Sequence, residues 1–413
     1  MKRLLLFLLI LSVPSAGWAN GPLRSIVIFG NEKTERQTVL EIIGVPPQTF
    51  VNEQLLRDVD DRLAHSGLFK QIRVRKVDNR DGTTDLRILV IEKQLWFVFP
   101  IFQAWSGRYS GGAAFAETNL FWPGTSTLFV AQGGNKLNRF VLGVDARNLW
   151  DSNFTIKSYV LVRSDEVFLF NGSTQAGNIR MKDVGFSVTP GYQWTNEIQT
   201  ALGINYSRVW YGDPTLGTTG NDVSLQFSFI YDSLRRREAL LKGWKLVAST
   251  QFSESRIGSD FLYHVEEVSF TNALTLFKYF NYVVDLEGKI GDGPLPFHRE
   301  FTLGGSSLRG YEDREFRGDT QILARQNLLF RMFRQTHFSV FGLAFHDLGL
   351  LYHDAQGAQG TQGISRNDLH NGIGGGLRVS LADIIAPVMG VDAGYGIEDH
   401  AFRLYFALGL VEF

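Results

Sequence analysis

Residues 303–319 read LGGSSLRGYEDREFRGD and set glycines and serines beside several arginines and acids. Such a stretch can hold a phosphate when its glycines lead into a helix N-terminus. No helical period follows Gly305, so the phosphate interpretation is weak. Arg317, Gly318 and Asp319 spell a cell-adhesion tripeptide, but they lie where the stretch returns into a strand. Neither chemistry explains the stretch by itself.

The rest of the chain offers no catalytic constellation. It has 8 His and many Ser residues, but no Gly-x-Ser-x-Gly elbow, no His-Glu-x-x-His and no clustered histidines. Cysteine is absent, which excludes disulfides and thiolate metal sites. His346 is adjacent to Asp347, yet neighbouring residues of a strand face opposite sides and cannot form a dyad. We therefore predict no catalytic residue, no metal site and no cofactor, and an enzyme is the least favoured class.

The first segment, MKRLLLFLLILSVPSAGWAN, has two cations, an apolar run from Leu4 to Val13 and small residues before Asn20. This pattern predicts a secretory signal peptide over residues 1–19 and a mature chain outside the cytosol. No later stretch approaches eighteen uncharged apolar residues, which excludes a helical membrane protein. A net charge of -1 gives no support to nucleic-acid binding, which requires a basic excess.

Residues 22–93 are predicted to form one small domain with the element order β-α-α-β-β. Its pattern changes from strand alternation to two helical stripes and back to alternation. The expected boundaries are a strand through Ile26 and Ile28, a helix opened by a Thr34/Gln37 capping box and ended by Gly44, a helix from Asn52 to Gly67, and an Asp81-Gly82 turn between two final strands.

From Trp96 onward, alternation with a period of two replaces the helical period. Val184, Phe186 and Val188 alternate with small or polar residues, so one face suits hydrocarbon and the other water. A soluble sandwich would also alternate, but several segments reach the length of ten or more residues that a tilted strand needs to cross a bilayer. Sixteen segments predict a mostly β fold, in which a sixteen-stranded antiparallel transmembrane β-barrel over residues 96–413 follows the small domain.

The connections between these segments alternate in length. The short ones lie near 151–152, 195–198, 278 and 332–335, and the long ones are 165–179, 212–221, 292–318 and 353–367. Short turns face the periplasm and long loops face outside in such barrels, so the small domain is expected in the periplasm. The opening stretch then lies in the longest outer loop.

Several segments resemble the BamA/TamA superfamily of outer-membrane assembly factors, which includes the transporters of two-partner secretion. IVIFGNEKTERQTVLEIIGV, LLRDVDDRLAHSGLFKQIRVRKV and TDLRILVIEK resemble one POTRA domain, a periplasmic module of this superfamily. The resemblance implies that this domain precedes a sixteen-stranded barrel of the surface-antigen type. The tetrad [VL]-R-G-[FY] of the family's sixth outer loop is matched by Leu308, Arg309, Gly310 and Tyr311, and the F-x-D-x-G pattern of its thirteenth strand by Phe345, Asp347 and Gly349.

The resemblance also implies that loop 292–318 folds back into the barrel lumen, and we call it the inserted loop. Arg309 would make a charge-assisted, bidentate contact with Asp347, and Gly349 would clear space beside it. The alternative for Arg309 is a solvated loop arginine without a fixed partner. Family members often add a glutamate on the lumen face of the twelfth strand, where this chain instead has Gln321, Arg325, Asn327 and Arg331.

Two further sets of residues complete the expected site. One is a pair of glycines that would let the inserted loop turn tightly, and the other is a set of apolar residues near the C-terminus that would form a membrane-insertion signal. The loop hinge is expected at Gly304 and Gly305, and the C-terminal signal at Phe406, Leu408, Leu410 and Phe413. Phe413 falls on the opposite phase from the other three, so the last residues are expected to bulge or to lie beyond the ladder.

The expected activity follows from the seam between the first and last barrel strands. Pro100 in the first and Gly409 in the last weaken ladder pairing, although Pro100 also fits an ordinary edge strand. In the assembly factors such a seam opens so that a client strand pairs at the exposed edge. We predict insertion or translocation of β-rich polypeptides across the outer membrane, with the POTRA domain capturing unfolded or β-rich clients.

An alternative keeps the fold and makes the chain a dedicated transporter that exports one partner protein through the lumen. A passive porin is disfavoured, because it would not need the POTRA-like segment. The expected partners are client polypeptides, outer-membrane lipid and periplasmic chaperones or helper proteins, and no nucleic acid.

Overall fold

The structure is a computed structural model that describes residues 21–408 except 67, 93–95, 106, 119, 121–124, 148, 150, 151, 216, 238, 278, 279, 293, 294, 353–367 and 382–386. The predicted signal peptide over residues 1–19 therefore lies outside the described residues. So does the whole of the predicted long connection 353–367. The chain divides into two compact units, one ending at Lys93 and the other beginning at Gln94.

The N-terminal unit contains β1 (Leu23–Phe29), α1 (Arg36–Ile43), α2 (Glu53–His65), β2 (Phe69–Asp78) and β3 (Thr84–Glu92), which confirms the predicted element order. The sheet order is β1-β3-β2, with β3 parallel to β1 and antiparallel to β2. One apolar core includes Val39, Leu63 and Ile88 from the helices and the sheet. Neither helix in the described residues is long and apolar enough to cross a membrane.

The predicted start of the first helix is wrong. The helix begins at Arg36 and has no side-chain cap, so Thr34 does not form a capping box. The backbone N–H of Thr34 instead donates to the Glu92 carboxylate at 2.6 Å, which holds this residue against the end of β3. Two other signals agree with the structure: Asn52 Oδ1 accepts from a backbone N–H of α2 at 2.8 Å, and Gly44 ends α1 with a left-handed φ of 52°.

The second unit is a closed antiparallel barrel of sixteen long strands, as the sequence predicts. Each long strand pairs with its neighbours along the chain, and the last pairs with the first. The strands are β4 (Trp96–Trp105), β5 (Arg108–Thr118), β6 (Thr125–Gly134), β7 (Leu137–Ala146), β8 (Phe154–Asn171), β9 (Thr174–Gln193), β10 (Ile198–Tyr211), β11 (Gly220–Asp232), the short β12 (Arg235–Arg237), β13 (Leu240–Ser253), β14 (Tyr263–Leu276), β15 (Phe280–Asp292), the short β16 (Phe301–Leu303) and β17 (Phe316–Gly318), β18 (Thr320–Arg334), β19 (Phe338–Tyr352), β20 (Leu369–Leu381), β21 (Pro387–Gly396) and β22 (Ala401–Leu408).

The predicted long connection 165–179 is wrong, because β8 and β9 continue as a paired hairpin through it. The pairing reaches Asn171 opposite Thr174, and a tight turn joins the two strands. Val167 and Ile179 face inward and are 1% and 5% exposed. The outward residues of this hairpin include the polar Glu166, Asn178 and Arg180 beside Phe168, so the segment lacks the regular apolar alternation by which the other strands were recognised.

The two faces of the barrel wall differ in chemistry. On the outer face, apolar side chains such as Leu202 and Ile204 are exposed. On the inner face, polar side chains such as Asp222 and Ser224 are fully buried. The alternation read from the sequence therefore separates an apolar exterior from a polar, filled interior.

The seam that closes the barrel lies between β22 and β4, and β22 is described as far as Leu408. Within these described residues the seam consists of three opposed residue pairs, from Phe406 opposite Ala104 to Leu408 opposite Phe102. The β4–β5 ladder has ten pairs and runs through Pro100 without interruption. The rings of Phe406 and Phe102 lie 5.7 Å apart across the seam. The predicted signal residues Leu410 and Phe413, and the strand-weakening Gly409, lie outside the described residues.

Candidate functional site

The inserted loop lies against the inner face of the barrel. Its strands β16 and β17 pair as a short hairpin beyond the end of β15. Leu303, Leu308 and Tyr311 are 0% exposed, and they pack with Leu323 and Leu351 of β18 and β19. Burial of this apolar cluster holds the loop inside the lumen.

The structure brings Arg309 and Asp347 together in a bidentate contact. Arg309 Nε donates to Asp347 Oδ2 at 2.7 Å, and Nη2 donates to Oδ1 at 2.6 Å. The backbone N–H of Arg309 also donates to Oδ2 at 3.0 Å. Both side chains are almost completely buried, so the negative charge of Asp347 is balanced by this guanidinium and not by water.

Arg309 has further partners on other strands. Its Nη2 donates to Asn327 Oδ1 on β18 at 2.8 Å, so an amide stands on the strand where the family often places a glutamate. A second carboxylate comes instead from Asp392 on β21, 3.9 Å from Nη1 and itself bound by Arg378. The guanidinium carbon lies 3.6 Å from the centroid of the Phe345 ring, which adds a cation–π contact.

Glycines on both sides allow this close approach of the loop to the wall. Gly310 has a φ of 109°, and a Cβ there would lie 2.6 Å from the backbone nitrogen of Gly396. A Cβ at Gly349 would lie 2.8 Å from Leu303, within the apolar cluster. The two predicted hinge residues, Gly304 and Gly305, have φ values of 121° and 65°, which favour glycine.

Tyr311 anchors the loop beside β20. Its hydroxyl donates to the carbonyl oxygen of Asn371 at 2.8 Å and also contacts the Glu398 carboxylate. The ring meets Phe316 and His370 edge-on at centroid distances of 5.2 and 5.7 Å. Burial raises the pKa of the Tyr311 hydroxyl, so it remains a donor.

The last strand holds the same stretch of loop. Arg403 Nη1 donates to the carbonyl oxygen of Gly310 at 2.5 Å, and Nε donates to Glu312 at 3.0 Å. Tyr405 accepts the N–H of Gly310 at 2.9 Å and donates to the carbonyl oxygen of Tyr311 at 2.8 Å. The tetrad is therefore bonded to β22, one of the two strands of the seam.

The other side of the seam is bonded to the loop through β5. Arg108 Nη1 donates to Asp313 Oδ2 at 2.5 Å, and Nη2 contacts Asp165 of β8. Arg314 of the loop binds the second Asp165 oxygen at 2.7 Å. The loop thus contacts strands on both sides of the seam.

The beginning of the inserted loop has a separate anchor. Asp222 on β11 is 0% exposed and binds His298 Nε2 at 2.7 Å, Arg299 Nε at 2.7 Å and the Tyr263 hydroxyl at 2.9 Å. The other ring nitrogen of His298 contacts the Tyr211 hydroxyl. Burial lowers the pKa of His298, which favours a neutral ring in this position.

Arg317 of the potential adhesion tripeptide faces the loop and not the exterior. Its Nε donates to Glu300 at 2.8 Å, its Nη2 donates to the carbonyl oxygen of Phe297 at 2.6 Å, and Asp319 is 3% exposed. The tripeptide therefore joins the two ends of the loop and is not displayed.

Residues 146–409 match the family model of the Omp85 superfamily domain, which covers well over half of the chain. The chain belongs to the Omp85 superfamily. The resemblance read from the two sequence motifs is thereby confirmed. This membership makes the chain a protein of outer-membrane insertion or secretion transport in general, and not an enzyme.

Solved structures of the same fold span most of this Omp85 chain. BamA from Haemophilus ducreyi lacking POTRA domains 1-3 is 15% identical, with a TM-score of 0.57, and the match covers 94% of this chain and 84% of that one. CdiB from Escherichia coli is 12% identical, with a TM-score of 0.66 and coverages of 94% and 76%. CdiB from Acinetobacter baumannii is 12% identical, with a TM-score of 0.60 and coverages of 95% and 74%. Comparison with curated proteins finds no match.

Several residues of the site were missed by the sequence reasoning. Alternation places the strand residues among them on the inner face, whereas His298, Arg299 and Asp313 belong to the inserted loop, and the sequence pattern does not say which of these residues meet. A charged residue on a buried strand face was the one available signal. The missed residues are Arg108, Asp165, Asp222, His298, Arg299, Asp313, Arg378, Asp392, Arg403 and Tyr405.

Proposed function

We propose that this Omp85 protein inserts or translocates β-rich polypeptides at the outer membrane by opening the seam between β4 and β22. The observation that carries this proposal is that the inserted loop bonds to strands on both sides of this seam, through Arg403 and Tyr405 on β22 and through Arg108 on β5. A strand edge freed there would offer unpaired N–H and C=O groups to a client strand. Backbone pairing of this kind tolerates many client sequences, as a general insertion device requires.

The inserted loop would hold this seam closed. Its contacts reach Arg403 and Tyr405 on β22 and Arg108 on β5, so opening the seam strains or breaks them. The Arg309–Asp347 pair would oppose displacement of the loop from β19. Displacement of the loop and opening of the seam would then be coupled steps.

The N-terminal unit would act in the periplasm as a POTRA domain that captures clients. Its sheet order leaves β1 and β2 at the two edges, so an extended segment of a client could add to either. An even number of barrel strands places both ends of the barrel chain on one side of the membrane. The longest connections, which include the inserted loop, lie on the opposite side, where outer-membrane barrels have their external loops.

A second candidate is a dedicated transporter that exports one partner protein through the lumen. It is favoured by the way the inserted loop fills the lumen through displaceable polar contacts, including those of Asp222 with His298 and Arg299. Withdrawal of the loop would leave a passage lined by polar side chains. In that mechanism the seam stays closed.

A disulfide across the seam separates the two candidates. The chain has no cysteine, so Gln103→Cys with Ala407→Cys, an opposed pair, introduces one specific crosslink. A matched control, Ala113→Cys with Ala131→Cys, joins β5 to β6, whose ladder need not open. We expect the oxidised seam variant to lose insertion of a β-barrel client into proteoliposomes and to regain it on reduction, whereas the control stays active. Full activity of the crosslinked seam would instead favour passage through the lumen.

A further inference from the structure

A large groove lies on the outer face of the barrel. Its volume is about 1070 Å³, and it extends across β6 to β10. The outward side chains that line it include Phe140, Val162 and Val184, each of which is more than 40% exposed. The groove is thus an apolar surface on the side of the wall that faces lipid.

Basic side chains stand at one end of this groove. Arg180 and Lys182 line it on β9, and both are exposed. Trp210 of β10, opposite Lys182, also lines it, and the guanidinium of Arg208 lies 5.6 Å from the Trp210 ring. Lys136 contacts Glu166 in the same region.

The charges of this cluster are not balanced within the described protein. Its one carboxylate, Glu166, is shared by Lys136 and by Arg180, the latter at 3.6 Å. Lys182 makes no ion pair with another described residue. The cluster thus consists of the cations Lys136, Arg180, Lys182 and Arg208 and the carboxylate of Glu166. Its formal charge of +3 is complementary to an anion.

The basic cluster lies at the height on the barrel where lipid headgroups are expected. Tyr192 lies ten residues along β9 from Lys182 and contacts Phe154 and Trp194, an aromatic group typical of one membrane interface. Ten residues span about 34 Å of strand, or about 26 Å of membrane at a tilt of about 40°. This equals the apolar band of about 25 Å in such barrels, so Lys182 lies at the opposite interface.

We propose that this groove binds one phosphorylated, acylated lipid of the outer leaflet. The phosphate would lie on Arg180 and Lys182, which suit an oxyanion, and an acyl chain would follow Val162 and Val184 toward the membrane centre. The inference rests on the membrane orientation proposed above and not on the handling of polypeptides. The site would hold the β6 to β10 part of the wall against the outer leaflet.

Native mass spectrometry of the full chain in detergent tests the site, with bisphosphorylated lipid A as the probe. We expect one lipid A to remain bound to the wild type and its affinity to fall about tenfold or more in Arg180→Ala with Lys182→Ala, because charge-assisted contacts are lost. A control pair, Arg147→Ala with Arg256→Ala, removes two exposed cations elsewhere and should bind as the wild type does. Val162→Trp, which fills the groove, should also weaken binding.

Equal retention by the wild type and the Arg180/Lys182 variant would overturn the proposal, as would equal affinity for lipid A stripped of phosphate. Heat-dependent migration on gels shows which variants are folded barrels, and the control pair serves as the reference. A variant that loses lipid A but still inserts clients would separate this site from the proposed function. A wild type that binds lipid A but lacks client insertion would leave the groove proposal standing.

Discussion

Asp313 of the inserted loop accepts a hydrogen bond of 2.5 Å from Arg108 at the start of β5. On the other side of the seam, Arg403 of β22 donates to the carbonyl oxygen of Gly310. Two loop residues, Tyr311 and Glu312, therefore lie between these contacts to the two sides of the seam. A loop tied in this way restrains the seam that closes the barrel.

Replacing Asp313 with Asn should loosen this restraint. The ion pair with Arg108 becomes a hydrogen bond from a cation to an uncharged amide, and loss of the carboxylate charge weakens it by about 1–2 kcal/mol, which corresponds to about a tenfold change in an equilibrium constant. We expect more frequent channel openings in planar bilayers. Asp213→Asn makes the same change in another outer connection, where Asp213 bonds to Thr215 alone among the described residues. Similar opening frequencies in both variants would contradict the role of the loop in the seam.

Replacing Arg309 with Ala should release the loop from β19. Asp347, which is 0% exposed, would then be a buried and uncompensated carboxylate, a change that costs about 3–5 kcal/mol. We expect raised conductance or impaired transport while the barrel remains folded, measured in bilayers and by gel migration. Arg256→Ala, on an exposed arginine of an outer connection, is the control. Unchanged conductance together with unchanged transport would remove the docking model.

Exchanging the two charges tests whether these residues act as a pair. Arg309→Asp alone and Asp347→Arg alone should each lose loop docking through repulsion or an unpaired charge. The double variant should recover part of that loss. Recovery is expected to be incomplete, because Asp392 and Asn327 remain arranged around a cation. Transport measured for all four proteins gives the coupling energy, and a coupling energy of zero would mean that the two residues are independent.

The docked loop should also respond to pH through Glu315. Burial raises the pKa of this carboxyl from 4.5 to about 7, and the neighbouring Asp399 adds to the effect. A carboxyl with a raised pKa in the docked state binds its proton there, so docking is most stable below about pH 4.5 and weakens as pH rises through about 7. We expect channel openings to increase between about pH 5 and pH 8.

Glu315→Gln retains the shape of the protonated side chain and should abolish most of this pH dependence. Glu315 accepts the N–H of Glu312 at 2.7 Å through Oε2, whereas Oε1 has no hydrogen-bond partner among the described residues. Arg403 lies 3.9 Å away and favours the ionised form, which limits the size of the effect. An identical pH profile in wild type and variant would assign the dependence to another group.

Much of the architecture was predictable because it depends on local periods. Alternation at Leu202 and Ile204 reports which side of a strand meets hydrocarbon, and the helix signals at Asn52 and Gly44 depend on nearby backbone groups. The two errors have different causes. The backbone N–H of Thr34 bonds to Glu92 of another element, which no local pattern reports. In the β8–β9 hairpin, polar outward residues such as Glu166 and Asn178 interrupt the apolar alternation.

The sequence by itself determined the strand number, the domain order and the pairing of two motifs, since these follow from residue periods and a family resemblance. Only the tertiary structure decided which inner side chains meet. Arg403 and Gly310, or Asp222 and His298, are far apart along the chain and become neighbours through the register of a closed barrel and the path of one loop. Barrel closure is a cooperative property of all sixteen strands, so no single segment encodes those contacts.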